Sequence, residues 1–421
     1  MLFDKVIIAL DAALVGALVA RYLGPSDVGT LAYYASVVAI AISVVTFGTD
    51  SILVRQFIKH PDKRGKLLWS AFLMRIVFAS VLFFSLSIRE FFVQNTQSDM
   101  TNFYIMAVSA LPLLASPAAV FRLILDAELT VKWHIVITNI IMFILAVVKL
   151  GLIQFSAPSV MFALVLTIQT ASSFISGFII VKRGGLLPTF EILPMQEFRL
   201  LMIECWPLFL STVSIVLYMN LDVLMLNEMK GPTEAGIYSV AKRLSSIWYI
   251  LPVSLATSYF PKLTSTYMTS KTNYEKQLNW FFDINSIIAL LCVFIALLTF
   301  PFLIRTFYGS AFESSVSVFY YFIWGLPFVF MGVARGLHLM LEGQHKFSFA
   351  ANIIGLFINL LLNYLLIPVY GAKGAAIAMV VSLVSINFVI SFLDRKVRPI
   401  GIAQAKSLFA APWRLYNRTI T

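Results

Sequence analysis

Apolar runs long enough to cross a lipid bilayer follow one another along almost the whole chain, separated by short connections. A spanning helix needs about 20 mostly apolar residues, because its length must match the hydrocarbon thickness of the membrane. Charged residues make up only 12% of the chain, about half of what an ordinary soluble domain carries. The sequence therefore predicts an all-α integral membrane protein with about twelve spanning helices. The predicted spans are roughly 3–23, 30–53, 68–92, 103–125, 133–153, 159–181, 205–227, 236–260, 281–304, 316–341, 347–369 and 372–393.

A near-repeat indicates two related halves. Residues 24–29 (GPSDVG) and 231–236 (GPTEAG) each lie between apolar runs, and each is followed by a helix that contains a tyrosine. An even number of predicted spans separates them, so both are expected on the outer face. The halves would then be parallel repeats, an arrangement found in transporters with a site near the midplane. The glycines, prolines and polar residues suit the caps of tight hairpins, so we interpret these segments as architecture rather than as a site.

The longest polar connection, about 182–204, provides the natural boundary between the halves. Its alternation of leucine, proline and phenylalanine is typical of a segment that lies at the membrane interface. The predicted organisation is an N-terminal six-helix lobe over 1–183, a cytoplasmic interfacial linker over 184–204, a C-terminal six-helix lobe over 205–394 and a basic cytoplasmic tail over 395–421.

Lysine and arginine are concentrated in the connections that share a face with the N-terminus. Cytoplasmic loops of membrane proteins carry such an excess of basic residues. The sequence therefore predicts that both termini are cytoplasmic. The net charge of +11 is explained by this bias, and no nucleic-acid partner is needed.

Polar residues inside the spans are the first candidates for function, because ionisable groups there are costly and usually face a cavity. Tyr218 and Asp222 share one face of the seventh span, Lys242 and Tyr249 share a face of the eighth, and Asn359 belongs to an asparagine stripe on the eleventh. Such stripes indicate a wetted interior surface. Hydrogen bonding between helices uses the same residue types and remains the alternative for the serines and asparagines.

The single charged residues within the predicted spans differ in how far they lie from the ends of the span. Arg75 lies about 12 Å into the third span, too deep for ready snorkelling, and Asp11 is near the middle of the first. Lys149 and Arg335 are nearer to helix ends, where snorkelling to the interface is the expected behaviour. Other charged residues fall at predicted boundaries, and we interpret most of them as solvated anchors. They are Asp50, Arg122, Asp126, Glu128, Glu204 and Asp283.

Motifs of catalysis are not found in the sequence. The two cysteines, Cys205 and Cys292, lie in apolar runs without metal or disulfide spacing, and the four histidines are scattered. We therefore predict that the protein is not an enzyme and uses no metal or cofactor.

Three stretches resemble the polysaccharide (O-antigen) flippases, the Wzx-type family of the multidrug/oligosaccharidyl-lipid/polysaccharide (MOP) exporter superfamily. They are 20–29 with 48–55 (GTDSILVR), 220–226 (NLDVLML) with 236–244 (GIYSVAKRL), and 368–376 (PVYGAKGAA). The order and spacing of the stretches cover essentially the whole chain. One departure is that only about 20 residues precede Arg21, a shorter lead than family members usually have.

The resemblance implies a two-lobed fold around a central cavity that opens alternately to each face. It also implies that undecaprenyl-diphosphate-linked oligosaccharides are moved across the bacterial inner membrane for surface polysaccharide biosynthesis, with membrane lipid and other polysaccharide assembly proteins as expected partners. Arg75 is then the first choice for contact with the diphosphate. The remaining substrate-binding candidates are Lys242, Arg335, Tyr218, Tyr249 and Asn359, and the proton-coupling candidates are Asp222 and Asp11.

Two other functions are compatible with parts of the sequence. A drug or small-solute exporter would use the same superfamily fold. A membrane polysaccharide polymerase would require a sizeable outer loop, whereas the predicted outer loops do not exceed about 15 residues. Either a proton gradient or a sodium gradient could drive transport.

Overall fold

The structure, a computed structural model, describes residues 11–93 and 97–420, and helices account for most of this part of the chain. The main helices of the first half are α1 (Gly16–Thr46), α2 (Thr49–Lys59), α3 (Arg64–Val93), α4 (Gln97–Ala115), α5 (Ala119–Ala127), α6 (Lys132–Gln154), α7 (Ser159–Arg183) and α8 (Met195–Lys230). Those of the second half are α9 (Pro232–Ile247), α10 (Ile250–Thr269), α11 (Lys271–Leu303), α12 (Glu313–Ile323), α13 (Leu326–Leu341), α14 (His345–Tyr370), α15 (Ala372–Asn387) and α16 (Arg398–Ile420).

Within the described residues, nine helical stretches are long and apolar enough to cross a membrane, and the pair α12–α13, bent by 43°, makes a tenth if it is counted as one span. The prediction of an all-α, multi-pass membrane protein is confirmed. The first stretch, Gly16–Lys59, is 44 residues long and contains part of the first predicted span and all of the second. The predicted span 236–260 is divided between α9 and α10, and neither helix is both long and apolar enough to qualify, since serine, threonine and lysine recur along them.

Contacts between residues divide the chain into two compact units, one mainly of Asp27–Leu224 (unit 1) and one mainly of Met225–Thr421 (unit 2). In unit 1, a core cluster of buried aliphatic and aromatic side chains surrounds Phe57, Leu68 and Phe121. In unit 2, Phe281, Phe282 and Met331 are at the centre of a corresponding cluster. Burial of such side chains away from lipid and water fixes the helices of each unit against one another.

The two Gly-Pro segments have the backbone that the sequence predicts for hairpins. Gly24 and Gly231 have φ angles of 77° and 88°, which favour glycine. The acidic residue of the second segment, Glu234, lies in the first turn of α9, as expected for a capping segment, and it also contacts a second helix. The carboxylate of Glu234 accepts a hydrogen bond of 2.8 Å from the N–H of Ala372, the first residue of α15. Glu234 therefore offsets the positive end of α15.

The connection after α7 is packed onto the end of unit 1. The indole of Trp69 donates to the carbonyl of Pro188 at 3.3 Å, and the Ser70 hydroxyl accepts from the N–H of Leu193 at 2.8 Å. A Cβ on Gly65 would lie 2.7 Å from the carbonyl oxygen of Thr189, so the backbones can approach this closely only because that residue is glycine. Exposed ion pairs join the connection and the start of α8 to α2, to α3 and to the turn between them. They are Arg55 with Glu204, Lys63 with Glu197 and Lys66 with Glu191.

Residues beyond 394, predicted as a basic tail, contain α16, whose N-terminal half packs within unit 2. The side chain of Gln404 is buried and donates to the carbonyls of Met331 and Asn387, both at 3.1 Å. The hydroxyl of Ser407 donates to the carboxylate of Asp283 at 2.8 Å. Asp283 is fully buried, so for this residue the interpretation as a solvated anchor is wrong. Its carboxylate accepts a hydrogen bond from the hydroxyl of Ser407, a residue on a different helix, and the periodicity of the sequence does not predict this partner.

Candidate functional site

A polar cavity of about 650 Å³ lies within unit 1, between α1, α2, α5 and α7. Each of these helices contributes an apolar residue to the lining, and these residues are Ile42, Val54, Leu123 and Phe174. The other lining residues include two carboxylates, one guanidinium and several hydroxyls. They are Thr46, Asp50, Ser51, Ser116, Arg122, Asp126 and Ser173.

A break between α1 and α2 places Asp50 at this cavity. Phe47 and Gly48 both have positive φ, at 47° and 65°, which ends α1 and starts α2 in a new direction. A Cβ on Gly48 would lie 2.4 Å from the backbone nitrogen of Phe209, so α8 approaches α2 closely at this glycine. The rings of Phe47 and Phe209 stack with centroids 4.4 Å apart. Asp50 is consequently in the first turn of α2, where the helix dipole favours a negative charge.

Behind Asp50 lies the buried guanidinium of Arg75. The side chain of Arg75 has an exposed fraction of 0%, whereas that of Asp50 is 55% exposed. One terminal nitrogen of Arg75 donates to the carboxylate of Asp50 and to the hydroxyl of Thr49. Its other two nitrogens form no hydrogen bond with the part of the chain that the structure describes. The cavity therefore presents the carboxylate, and Arg75 contacts and orients that carboxylate from the buried side.

A second charge pair at the cavity lies on α5. Arg122 and Asp126 are one helical turn apart, with Nε and Oδ2 separated by 3.6 Å. Gly177 of α7 allows the close approach, because a Cβ at that position would already be 3.1 Å from the backbone and side chain of Arg122. The cavity thus combines hydroxyl donors and acceptors with charges that are largely paired, an arrangement suited to a polyhydroxyl ligand rather than to a strongly charged one.

Asp222 and Tyr218 of α8 are placed away from the lining of this cavity. Asp222 is fully buried, and its carboxylate accepts from the N–H of Val223 at 2.9 Å. Asp11 lies 3.5 Å from the ammonium of Lys149, which also donates to Gln169 at 3.1 Å. The expectation that Lys149 snorkels to the interface is wrong, because this buried lysine has an acid and an amide as partners.

In unit 2, Arg335 is buried as well. It donates to the hydroxyl of Ser391 at 2.8 Å, and its guanidinium lies 5.8 Å from the ring centre of Phe347. The snorkelling expected for Arg335 is therefore wrong. The ammonium of Lys242 lies 5.6 Å from the ring centre of Tyr238.

The asparagine stripe and the remaining tyrosine are less closely connected to a cavity. Asn359 and Asn363 are fully buried and joined by a hydrogen bond of 3.0 Å. Tyr249 is half-buried at the junction of α9 and α10. A cavity of about 780 Å³ elsewhere in unit 2 includes Tyr267, Tyr274, His338 and other residues at the ends of α10, α11, α13 and α16.

Residues 5–267 match the family described as polysaccharide biosynthesis protein. The chain belongs to this family. It is 22% identical to the putative O-antigen transporter of Escherichia coli (strain K12) over 367 residues, which are 85% of this chain and 86% of that protein. It is 24% identical to the capsular polysaccharide biosynthesis protein CapF of Staphylococcus aureus over 187 residues, only 44% of this chain and 47% of that protein.

Members of the MOP superfamily share the fold. The lipid II flippase MurJ in an inward closed conformation superposes with a TM-score of 0.71 at 16% identity, over 100% of this chain and 92% of MurJ. An inward-facing multidrug resistance MATE transporter of the MOP superfamily gives a TM-score of 0.67 at 14% identity, over 100% of this chain and 99% of that chain. The resemblance noted in the sequence is confirmed, and the likeness to solved structures extends over the whole length.

The sequence identifies Arg75 as the cation that lies deepest in a span. It does not identify the residues that line the unit 1 cavity. Because Asp50, Arg122 and Asp126 each lie near the predicted end of a span, the sequence favours boundary anchors at these positions. The available signal was a helix break next to each group: Gly48 precedes Asp50, and Ser116–Ala118 forms a short turn with a proline just before Arg122. Breaks of this kind in membrane helices are tolerated where the backbone lines a cavity.

Proposed function

We propose that this protein moves undecaprenyl-diphosphate-linked oligosaccharide repeat units from the cytoplasmic to the outer leaflet of the bacterial inner membrane. A glycan cannot cross hydrocarbon unaided, because each unsatisfied polar group costs several kcal/mol, about 2–7 for an amide or hydroxyl. The observation that carries the proposal is the polar cavity of unit 1, which offers hydroxyls and paired charges within a membrane-spanning unit. Such a surface replaces water around sugar hydroxyls while the polyprenyl tail stays in lipid.

The size and charge of the cavity support a glycan as its occupant. Its volume of about 650 Å³ lies within the range of roughly 300–1,000 Å³ that small-molecule sites occupy. Asp50 is matched by Arg75 and Asp126 by Arg122. We infer that Asp50 accepts hydrogen bonds from sugar hydroxyls, and that Arg75 contributes to substrate binding through Asp50, with direct contact to the diphosphate only if Asp50 moves aside.

The other candidate residues keep their proposed roles. Lys242 and Arg335 would balance the diphosphate, Tyr218 and Tyr249 would stack on sugar rings, and Asn359 would bind a polar group of the glycan. Asp222 and Asp11 would take up protons if a proton gradient drives the cycle. With both termini cytoplasmic, alternating access would carry the headgroup across, and other polysaccharide assembly proteins would act before and after it.

A catalytic role is not favoured by the connections between helices. The longest of those described is 184–194, and it is packed on unit 1 rather than forming a separate domain. The MATE-like fold keeps a drug or small-solute exporter as the second candidate, because the fold is shared by both kinds of transporter.

Filling the cavity tests the proposal. Ser173 lines the cavity from α7, whereas Thr170 on the same helix is exposed. Ser173→Phe and Thr170→Phe would be expressed in the natural host after deletion of the chromosomal gene, with protein levels measured in membranes. We expect deletion and Ser173→Phe to abolish surface glycan and to accumulate lipid-linked repeat units on the cytoplasmic leaflet, and Thr170→Phe to restore both.

Three outcomes would count against the proposal. Unchanged surface glycan after deletion of the gene would refute the proposed flippase function. Altered drug tolerance without accumulated lipid-linked units would favour the exporter. Full activity of Ser173→Phe at normal protein level would show that the cavity of unit 1 does not hold the glycan.

A further inference from the structure

A smaller cavity between α10 and α11 is lined by side chains that donate hydrogen bonds. Its volume is about 440 Å³, and its lining residues are Lys262, Lys276, Gln277 and Trp280. A lysine ammonium has three N–H donors and no acceptor, and the tryptophan indole is a donor only. The carboxylate nearest in sequence, Glu275, lines the separate cavity formed with α13 and α16.

Gln277 completes the set of donors. Its side-chain oxygen accepts a hydrogen bond from the hydroxyl of Tyr259. The amide oxygen is therefore occupied by a neighbour on α10, and the two N–H donors of the same amide remain for the cavity. All four lining residues thus offer donors, which is the chemistry of an anion site.

Two aromatic rings contact the ammonium of one of the lysines. The ammonium of Lys262 lies 5.5 Å from the ring centre of Tyr259 and 5.9 Å from that of Trp280. The two rings are 5.2 Å apart, and Tyr259 stacks on Phe281 at 4.9 Å with an interplanar angle of 4°. The rings are packed against the core of unit 2. They favour this position of the Lys262 ammonium, whose side chain is otherwise exposed.

Neither lysine has an acidic partner among the residues that the structure describes. Within the described ranges, Lys262 and Lys276 form no ion pair, whereas Lys63 and Lys66 of unit 1 pair with Glu197 and Glu191. The two positive charges at this cavity are therefore not neutralised by the protein, and they would attract an anion from solution or from the membrane surface.

The position of the cavity selects a lipid as the source of that anion. Lys262 is seven residues before the end of α10, about 10 Å from the hairpin turn at 1.5 Å per residue, on the face predicted to be cytoplasmic. Tryptophan is enriched at that depth, and basic pockets between membrane helices on the cytoplasmic side bind phosphate-bearing headgroups. We propose that Lys262, Lys276, Gln277 and Trp280 form a binding site for the phosphate of a lipid headgroup.

Two lipids could supply this phosphate: an anionic phospholipid of the inner leaflet, or the diphosphate of a polyprenyl carrier. Only the second source rests on the function proposed above. The full chain would be purified in detergent and titrated with short-chain phosphatidylglycerol, farnesyl diphosphate and, as the uncharged counterpart, farnesol. Binding would be followed by native mass spectrometry.

The decisive variant replaces both lysines, as Lys262→Gln with Lys276→Gln. The matched control replaces Lys271 and Lys396 by glutamine, which removes the same charge from the same unit at the other cavity. We expect the first variant to lose about tenfold or more in affinity for both phosphate-bearing lipids and the control to lose about threefold at most. Arginine at both pocket positions should restore binding, because it keeps the charge.

The relative affinities identify the source. Farnesyl diphosphate binding about tenfold tighter than phosphatidylglycerol would identify the polyprenyl carrier, and equal affinities would identify bulk anionic lipid. Unchanged affinity of the glutamine variant, an equal loss in the control, or equal binding of farnesol would overturn the site. Since binding is measured without transport, loss of the flippase function in cells with headgroup binding retained would refute the proposed function alone.

Discussion

Replacing Asp50 and replacing Arg75, the charge pair of unit 1, should destabilise the protein by unequal amounts. Asp50→Asn leaves the guanidinium of Arg75, with an exposed fraction of 0%, without its anion. An uncompensated buried charge costs about 3–5 kcal/mol. Arg75→Met instead leaves Asp50, which is 55% exposed and can be hydrated from the cavity. The loss is then that of charge-assisted hydrogen bonds, about 1.5–3 kcal/mol.

The double variant completes the test. With both charges replaced, no buried charge remains, so its stability should lie near that of Arg75→Met. The coupling energy between the two positions should then equal in size the cost of Asp50→Asn alone, about 3–5 kcal/mol. The expected order of Tm for the purified protein in detergent is wild type, then Arg75→Met and the double variant together, then Asp50→Asn. The control pair is Arg122→Gln and Asp126→Asn, whose exposed partners should change stability by less than about 1 kcal/mol each.

The reasoning would be refuted if Arg75→Met destabilised the protein as much as Asp50→Asn, or if the two changes were additive. Either result would mean that Arg75 contacts groups other than Asp50 and Thr49, or that the pair is already hydrated. Surface glycan in complemented cells adds a functional readout. We expect Arg75→Lys to retain activity better than Arg75→Met, because it keeps a charge behind Asp50.

Three further predictions concern packing within each unit. Gly374→Ala should destabilise unit 2 by about 1–3 kcal/mol, because the new Cβ would lie 2.4 Å from the carbonyl oxygen of Leu366. The control variant Gly336→Ala, whose new Cβ meets no atom within 4 Å, should be neutral or stabilising. A lower Tm for Gly336→Ala than for Gly374→Ala would contradict this. Gln404→Leu should cost about 1–3 kcal/mol, since two buried carbonyls lose their donor, and unchanged proteolytic release of α16 would show that this amide does not hold the helix. Lys63→Gln should change Tm little, as expected for an exposed ion pair. A loss of several degrees would indicate that the placement of the first turn of α8 depends on its ion pair with Lys63.

The residues of the candidate site show where sequence reasoning reaches its limit. Arg75 was correctly identified as too deep to snorkel, because depth follows from position along a helix. Its partner was not predicted, since Asp50 is 25 residues away on another helix and the turn at Phe47 and Gly48 decides which way it faces. The position of Arg335 near a helix end predicts an interfacial residue, whereas the structure buries it inside unit 2, where the hydroxyl of Ser391 accepts from it.

The sequence by itself determined that the chain is a helical membrane protein, where most of its spans lie and which family it resembles. These properties depend on apolar content, helical period and local glycine and proline positions, all of which are read along one chain segment at a time. The tertiary structure decided which polar residues are enclosed and which meet at a cavity. Asp50 and Arg75, Asp283 and Ser407, and Glu234 with the start of α15 are brought together by helices distant in sequence. The physical reason is that the cost of a buried polar group depends on its partner, and the choice of partner is a property of packing.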